Sequence, residues 1–295
     1  MVGFQANRNG TGCESRNILI FWFLIEPSSP RKREVISRMD VSPQEEILAV
    51  IPARYGSTRF PGKVLAQIEG KPLIYYTYNR ALMCELITNV VIATDDDRVV
   101  AELSRFGIEV VMTRPDHESG TDRIAEVAAS SKAEIIVNIQ GDEPLIDPRT
   151  VDSAIRALLE NPDSPMSTVR RRFVSREEVE NPNNVKVVCD SKNRALYFSR
   201  YPIPYVREDV RQLEQGGVHW HHYGLYAYRR DFLLQYTKLP QTPLEKLEKL
   251  EQLRVLEHGY SIVVADTEYE SIGVDTPHDL EIVAAKIVAA RKLAV

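Results

Sequence analysis

The chain has 295 residues, of which 43% are hydrophobic and 27% charged, and its net charge at pH 7 is -5. This composition indicates a globular protein with one large core or two modest ones, and it excludes collagen, a disordered chain and a disulfide scaffold. Positive and negative side chains are interspersed, so we expect no broad cationic surface of the kind that binds nucleic acid. The three cysteines, Cys13, Cys84 and Cys189, lie far apart without metal-binding spacing, which favours a reducing, cytoplasmic compartment.

The first 45 residues differ from the rest of the chain. An unbroken apolar run at 18–25 is followed by prolines and then by three basic residues at 31–33. The run is too short to span a membrane, because a membrane-spanning helix needs about 20 apolar residues, and no small-residue cleavage site of a secretory signal follows it. It is either a short membrane-surface anchor or part of a dispensable extension with Met39 as the functional start. We expect the extension, and no stable membrane insertion.

From residue 46 onward, strand and helix patterns alternate. Continuous apolar runs, typical of strands buried on both faces, occur at 47–51, 90–92, 110–112 and 135–139. Helical patterns occur at 73–84, 98–106, 122–131 and 148–159. This order predicts an α/β fold with a mostly parallel central sheet and helices on both faces. In such a sheet the functional loops lie at the carboxyl ends of the strands.

The second half of the chain is less periodic. Short β-like segments at 185–188, 223–228 and 261–265 alternate with proline-rich turns, and helices are predicted at 244–258 and from 278 to the end. We therefore expect a smaller, strand-rich elaboration packed on the first half. No linker or repeat separates the two, so residues 46–295 are predicted to form one domain with halves at 46–165 and 166–295.

The clearest chemical signature is the loop after the first predicted strand, Arg54-Tyr55-Gly56-Ser57-Thr58-Arg59-Phe60-Pro61-Gly62-Lys63. Arg54, Arg59 and Lys63 are cations that can neutralise a triphosphate, and the small residues between them let backbone N–H groups approach phosphate oxygens. The spacing of the glycines is not that of a Walker A loop. An ordinary basic surface turn is the alternative, and the position after the first buried strand favours a phosphate-binding loop.

This loop and the Ile51-Pro52-Ala53 before it resemble the opening signature of the 3-deoxy-manno-octulosonate (Kdo) cytidylyltransferases, also called CMP-Kdo synthetases. Further matches follow in order at 116–123, 137–144, 196–200, 250–254 and 273–277, so the resemblance covers residues 47 to about 290. It implies a nucleotide-diphospho-sugar transferase type of fold and an enzyme of lipopolysaccharide inner-core synthesis that moves CMP from CTP to Kdo. It also implies a homodimer, with the nucleotide bound by the first half and the sugar by the second.

The same resemblance identifies Asp142 and Asp275 as ligands of Mg²⁺, a hard cation that needs only one or two carboxylates when it also binds phosphates and water. A helix cap is the alternative for Asp275, and Glu143 is either an additional ligand or a strand-end carboxylate. With these aspartates, Arg54, Arg59 and Lys63 complete the implied catalytic set. The implied nucleotide contacts are Arg54, Ser57, Arg59, Lys63, Thr94, Asp95, Ser119, Gly120, Arg123 and Gln140. For Thr94 and Asp95 a helix N-cap role is equally open.

The sugar acid is expected in a pocket that combines cations with polar groups. By resemblance its contacts are Gln140, Arg200, His222, Tyr226, Glu251 and Gln252. Adjacent histidines on a strand point to opposite faces, so at most one of His221 and His222 should face this pocket. His221 stands where the family commonly has a basic residue, which bears on substrate preference. Glu251 and Gln252 have a solvated helix face as their alternative.

The implied reaction is in-line attack by the anomeric hydroxyl of Kdo on the α-phosphorus of CTP, which expels pyrophosphate. Such a transfer depends on alignment and charge neutralisation and needs no covalent nucleophile from the protein. An amino-Kdo or a sialic acid is an alternative acceptor. A related glycosyltransferase is a second reading, for which Asp95-Asp96-Asp97 loosely resembles a metal motif, although the basic loop argues for a free triphosphate. A non-catalytic nucleotide sensor is a third, and the presence of both Asp142 and Asp275 argues against it.

Overall fold

The computed structural model describes residues 46–56, 60–207 and 218–292. Within these ranges the strands are β1 (Ile47–Ala53), β2 (Gln67–Ile68), β3 (Lys71–Pro72), β4 (Asn89–Thr94), β5 (Val110–Met112), β6 (Ile135–Asn138), β7 (Met166–Arg172), β8 (Lys186–Cys189), β9 (Ala195–Ser199), β10 (Trp220–Arg229) and β11 (Ile262–Asp266). The helices are α1 (Leu73–Leu82), α2 (Asp97–Ser104), α3 (Gly120–Ala129), α4 (Pro148–Glu160), α5 (Arg176–Glu180), α6 (Arg230–Tyr236), α7 (Pro243–Glu248), α8 (Gln252–Glu257) and α9 (Pro277–Lys292), and a 3-10 helix spans Lys63–Leu65. Residues 1–45, Ser57 and Arg59 lie outside the described residues, so what was expected of them stays a prediction.

Among the described residues, the large sheet has nine strands, with seven in the order β11-β7-β10-β6-β1-β4-β5 and with β8 joining β10 to β9. β1 is parallel to β4 and β6, and β4 is parallel to β5. β10 runs antiparallel to both β6 and β7. The predicted mostly parallel sheet is therefore confirmed for the first half of the chain. The sheet continues into the second half through β10, which comes late in the sequence but lies between β6 and β7.

β1 is covered on both faces, as its continuous apolar sequence predicts. Ile47, Ala49 and Ile51 belong to a core that includes residues of α1, α2 and α4. Leu48 and Val50, on the opposite face, belong to a second core that includes residues of α3 and α6. Because successive side chains of a strand alternate between faces, a run of apolar residues can fill two cores at once.

The helix predicted over 244–258 is wrong as a single element, since the structure has two short helices there. Lys249 ends α7 in the left-handed region, with φ of 54°, and donates its backbone N–H to the carbonyl of Glu245. The chain then turns and starts α8 at Gln252. The helical periodicity continues across the break because Leu250 and Leu253 are both buried in the same core.

The C-terminal helix α9 packs on α1. Val283 and Ile287 of α9 share a buried cluster with Leu73 and Tyr76 of α1. This packing holds the start of α9 near the first half of the sheet. Among the described residues, no helix combines the length and apolar character needed to cross a membrane.

Candidate active site

Four loops leave the sheet at the carboxyl ends of β1, β4, β5 and β6, beside a reversal of strand order. From β1 the chain adds β4 and β5 on one side and then crosses to the other side to form β6. Open α/β sheets bind ligands in the crevice next to such a switch point. The described residues of the loops that follow these strands, at 54–56, 60–63, 95–97, 113–119 and 139–147, are therefore the candidate site.

The loop after β1 is held at both ends. Gly62 donates its backbone N–H to the carbonyl of Tyr55 over 2.9 Å, and its φ is 70°. A Cβ at Gly62 would lie 3.1 Å from the Tyr55 ring, so this turn requires glycine for both its φ and its space. Arg54 donates to the backbone carbonyls of His117 (2.9 Å) and Glu118 (3.3 Å), which ties this loop to the one after β5.

Lys63 lies at the centre of the site, surrounded by three oxygens. Its Nζ is 2.5 Å from Asp142 Oδ2, 3.1 Å from Asp275 Oδ1 and 3.0 Å from the backbone carbonyl oxygen of Val274. The Val274 backbone N–H in turn donates to the carbonyl of Asp142 over 2.9 Å. The structure thus joins the loop after β1, the loop after β6 and the turn before α9, and it brings together Lys63, Asp142 and Asp275 of the implied catalytic set. Their roles toward the triphosphate and Mg²⁺ stay predictions.

The charge of Lys63 is stabilised in this position. Burial alone would lower the pKa of Lys63, but the charges and hydrogen bonds of Asp142 and Asp275 outweigh it and raise the pKa above its ordinary value. Two carboxylates and a backbone carbonyl oxygen around one cation are hard oxygen donors of the kind that Mg²⁺ prefers. The donor set therefore fits the predicted metal, with Asp142 and Asp275 as the residues that would hold it.

The start of α9 resolves the alternative for Asp275. The cap is made by Thr276, whose Oγ1 accepts from the backbone N–H of Asp279 over 3.2 Å, while Asp279 Oδ2 accepts from the backbone N–H of Thr276 over 2.8 Å. This reciprocal pair is a capping box. Because Thr276 caps the helix, the carboxylate of Asp275 is directed to Lys63 instead.

Glu143 is held by the turn before α9. Ser271 Oγ donates to its Oε2. Burial, with the nearby charges of Asp142 and Asp275, raises the pKa of Glu143 to about 7. A carboxylate already bound to a hydroxyl fits the strand-end interpretation better than that of a further metal ligand, and the described residues hold no group of three or more His, Cys, Asp or Glu side chains that could bind a metal.

Several residues predicted to contact the nucleotide serve the scaffold beneath the loops. Arg123 has a side chain only 1% exposed, and its guanidinium donates to Asp95 Oδ2 over 2.7 Å and also to Thr113 Oγ1. Thr94 is buried and donates to the carbonyl of Ala53 over 2.7 Å. The cap of α2 is Asp96, so neither Thr94 nor Asp95 has the alternative N-cap role.

At the start of α3, Ser119 is a helix cap. Ser119 Oγ accepts from the backbone N–H of Asp122 over 3.1 Å, and Asp122 Oδ2 accepts from that of Ser119 over 3.0 Å. Gly120 is the first residue of the helix, and a Cβ there would make ordinary contact with Pro52 at 3.6 Å. The hydroxyl of Ser119 is thus committed to the helix, and nucleotide contact by Ser119 and Gly120 stays a prediction.

The predicted sugar-binding residues gather around β10 and the start of α8. The rings of His222 and Tyr226 are 5.5 Å apart, and Thr121 Oγ1 donates to Glu251 Oε2 over 2.8 Å. Burial raises the pKa of Tyr226, and the charge of Glu251 raises it further, which places these two groups near each other. Gln140 donates to Asn138, the residue paired with Tyr226 across the sheet.

Gln252 has an unusual environment for a surface helix residue. It is 3% exposed, and its Nε2 is buried without a hydrogen-bond partner among the described residues. A buried donor without an acceptor costs about 1–3 kcal/mol, so a ligand oxygen there would be stabilising. The alternative of a solvated helix face is therefore wrong for Gln252, while Glu251 beside it is exposed.

Arg200 links the end of β9 to two other segments of the second half of the chain. Its guanidinium donates to the backbone carbonyls of Glu248 (2.8 Å), Pro182 (3.0 Å) and Lys249 (3.4 Å). These bonds fasten the end of β9 to the turn between α7 and α8. Arg200 thereby positions the turn that carries Glu251, and its direct contact with a sugar acid stays a prediction.

Comparisons with known proteins show the family of the chain. A family model described as cytidylyltransferase matches residues 48–265. A 3-deoxy-manno-octulosonate cytidylyltransferase of Solibacter usitatus is 55% identical over 236 residues, covering 80% of this chain and 92% of that protein. The chain belongs to this family. A second member, from Geobacter sulfurreducens, is 52% identical over 247 residues and covers 82% of this chain and 99% of its own length.

Solved structures share the fold of this cytidylyltransferase family member. A CMP:2-keto-3-deoxy-manno-octonic acid synthetase complexed with CTP is 44% identical, with a TM-score of 0.77, and covers 83% of this chain and 99% of its own. A cytidylyltransferase from Leptospira borgpetersenii, at 18% identity and a TM-score of 0.55, shares the fold alone. The predicted nucleotidyltransferase type of fold is confirmed.

Two groups that support the site were missed from the sequence. Thr168 on β7 lies with its Oγ1 3.0 Å from His222 Nε2, and Glu248 accepts from Ser199 Oγ over 2.6 Å and from the backbone N–H of Arg200 over 2.9 Å. β7 was not predicted from the sequence, so the proximity of Thr168 to β10 could not be predicted either. Glu248 lies in a charged stretch where i,i+4 ion pairs are expected, and this pattern did not indicate its hydrogen bonds to β9.

Proposed function

We propose that the chain transfers CMP from CTP to the anomeric hydroxyl of Kdo, giving CMP-Kdo and pyrophosphate for lipopolysaccharide inner-core synthesis. The observation that carries this proposal is the convergence of Lys63, Asp142 and Asp275 at the switch point of the sheet. The chain also has 55% identity with a relative named for this reaction. A cation beside two carboxylates suits a triphosphate that enters with a divalent ion.

The residues of the site have two functions, which are to neutralise charge and to align the reacting groups. Arg54 and Lys63, with Arg59, would neutralise the triphosphate, and Asp142 and Asp275 would hold Mg²⁺. When bound, Mg²⁺ supplies polarisation of the phosphoryl oxygens and stabilisation of the leaving pyrophosphate. The protein then needs only to hold the attacking hydroxyl in line with the α-phosphorus.

On the sugar side, His222 acts as a neutral hydrogen-bonding group. Burial, with the nearby His221, lowers the pKa of His222 to about 3, so the ring is uncharged at neutral pH. Tyr226 is likewise held in its neutral form, because burial raises the pKa of its hydroxyl. With Gln252 and Glu251, these two neutral groups would orient the sugar hydroxyls without adding a further positive charge to the site.

We also propose that the enzyme is cytoplasmic and acts as a homodimer. Tyr201 and Tyr205 are 76% and 86% exposed, on the segment that follows β9. Large exposed aromatic residues grouped on one segment are typical of protein interfaces. Light scattering on the purified protein should give the mass of two chains, and a mass of one chain would contradict the proposed dimer.

The function is tested by pyrophosphate release from each of the four nucleoside triphosphates with Kdo, an amino-Kdo and a sialic acid. We expect release only with CTP and Kdo. Reaction of CTP with a sialic acid alone would overturn the acceptor, and turnover of UDP- or CMP-sugars as donors would indicate a glycosyltransferase. An Asp142→Ala variant that released pyrophosphate at the parent rate would contradict the metal assignment.

A further inference from the structure

Lys63 is an unusual neighbour for a pair of predicted metal ligands. An ammonium group has three N–H donors, and three oxygens lie within hydrogen-bond distance of Nζ, from Asp142, Asp275 and the backbone of Val274. The Lys63 side chain is 13% exposed, compared with 30% for Asp142 and 47% for Asp275. The ammonium therefore occupies the space between the two carboxylates with its hydrogen-bonding capacity used.

A divalent ion bound by Asp142 and Asp275 would require that same space. Two cations a few ångströms apart repel each other strongly, most of all where solvent is partly excluded. Lys63 and the metal therefore compete for one set of oxygens. Either the ammonium leaves when the metal arrives, or the metal does not bind.

The backbone around Lys63 restricts the change to its side chain. Gly62 is pinned to Tyr55 by a backbone hydrogen bond of 2.9 Å, and Leu65 donates its N–H to Gly62 over 2.9 Å. The long, flexible side chain can instead rotate away from the aspartates. A triphosphate on the adjacent Arg54-to-Lys63 loop would offer the ammonium new anionic partners while it brings oxygen ligands for the metal.

We propose that Lys63 is a built-in counter-ion that closes the metal site until the nucleotide triphosphate draws its ammonium away. This inference rests on the proposed function for the identity of the nucleotide. It makes metal and nucleotide binding mutually reinforcing, because each favours the arrangement in which Lys63 has left the aspartates. The nucleotide-free enzyme accordingly binds divalent ions weakly.

The test measures Mn²⁺ binding to the full chain by calorimetry with no nucleotide present. Lys63→Met removes the competing charge and keeps the length of the side chain, so it should bind Mn²⁺ at least about tenfold more tightly than the parent. Arg54→Met is the matched control, since Arg54 is a cation of the same loop that donates to the backbone of His117 and Glu118 and not to the aspartates. Its Mn²⁺ affinity should stay within about threefold of the parent.

Thermal unfolding provides a second readout. Removal of Lys63 leaves Asp142 and Asp275 close together without their shared cation, so Mn²⁺ should raise the Tm of Lys63→Met much more than that of the parent. Lys63→Gln serves the same purpose if the methionine variant does not fold. An Asp142→Asn change added to either variant should abolish the gain in affinity, since it removes one of the two charged ligands.

The proposal is overturned if Lys63→Met and Lys63→Gln bind Mn²⁺ within threefold of the parent, or if Arg54→Met gains as much as they do. The second result would indicate a general change in electrostatic potential. These measurements contain no CTP, so they are independent of the pyrophosphate assay. If pyrophosphate is released from CTP and Kdo but the Lys63 variants bind Mn²⁺ like the parent, only the counter-ion role is rejected. If the variants bind Mn²⁺ more tightly but no pyrophosphate is released, only the proposed reaction is rejected.

Discussion

At Gly141 the loop after β6 passes directly against the backbone of β1. A Cβ there would lie 2.9 Å from the carbonyl oxygen of Pro52 and 3.5 Å from side-chain carbons of Ile51 and Ile74. A backbone oxygen of a central strand cannot move aside as a flexible side chain can. The absence of a side chain at Gly141 is thus what lets the neighbouring Asp142 reach Lys63.

We therefore expect Gly141→Ala to lower the free energy of unfolding by about 1–3 kcal/mol, because the added methyl group overpacks the contact with β1. Urea unfolding measures this change. Gly56→Ala is the control, since nothing among the described residues lies within 4 Å of a Cβ at Gly56. Equal midpoints for the two variants would show that β1 and the loop after β6 can separate at little cost.

Arg123 and Asp95 have a partner in the structure that their positions in the sequence do not indicate. Both were predicted as nucleotide contacts, and in the structure they form an ion pair of 2.7 Å in which the arginine side chain is 1% exposed. A buried charge is tolerated only with a partner. The sequence shows an arginine and an aspartate 28 positions apart, but nothing in it indicates that each is the partner of the other.

At the scale of elements, two adjacent residues at the start of α9 have different roles. Thr276 caps the helix, and Asp275 is a proposed metal ligand. Thr276→Ala removes a helix cap and should lower the free energy of unfolding by about 1 kcal/mol while much of the activity remains. Asp275→Asn removes a proposed metal ligand and should lower pyrophosphate release by about 100-fold or more with a smaller effect on stability. Rate assays and thermal melts of both variants test this division, and the opposite pattern would assign the cap to Asp275.

The strand β10 presents its two adjacent histidines to opposite faces, as predicted. The His221 ring stacks on Phe173 at 5.1 Å, whereas His222 lies near Thr168 on the other face. Burial, with the charges of Arg171 and Lys186, lowers the pKa of His221 to about 4. Burial and His221 lower that of His222 to about 3. Both rings are therefore neutral in the folded protein at neutral pH.

These depressed pKa values make stability depend on pH. In the unfolded chain both histidines bind protons below about pH 6.5. In the folded chain they stay unprotonated until the pH approaches 4. The free energy of unfolding is therefore highest above pH 6.5 and decreases as the pH falls below it. Each histidine should contribute at most about 1.4 kcal/mol per pH unit to this loss. His221→Gln should reduce the slope of unfolding free energy against pH between 6.5 and 4.5. His278→Gln, on a side chain that is 78% exposed, is the control, and equal slopes would contradict the prediction.

At the scale of the whole molecule, one sheet holds both halves of the chain together. β10, at residues 220–229, pairs with β6 of the first half and β7 of the second. A fragment of residues 46–165 would leave the edge of β6 unpaired and lack part of the core beneath it.

We therefore expect that this fragment does not unfold cooperatively in urea. A chain that starts at Met39 should unfold in one transition, with the same free energy of unfolding as the full chain. A cooperative transition of the fragment would show that the first half is a domain in its own right.

The class of fold and the reaction family could be predicted from the amino-acid sequence, and so could a set of candidate charged residues for the site. Buried apolar runs alternating with helical patterns are local features, and they lead to the parallel strands β1, β4, β5 and β6. The motifs from Arg54 to Pro277 identify the family because their residue types and order can be recognised in the sequence. The break in the helix at Lys249 could not be predicted, because the helical spacing of apolar residues continues through it.

Which of these side chains meet could be seen only in the folded chain. Lys63 is 79 positions from Asp142 and 212 from Asp275, yet it contacts both. The same folding assigned the helix cap to Thr276 and turned Arg123 inward to Asp95. It also left the Nε2 of Gln252 buried with no hydrogen-bond partner in the part of the chain that the structure describes. Burial and hydrogen bonding involve segments that are distant in the sequence, so neither can be read from one segment alone. A residue's role depends on what the completed sheet brings next to it.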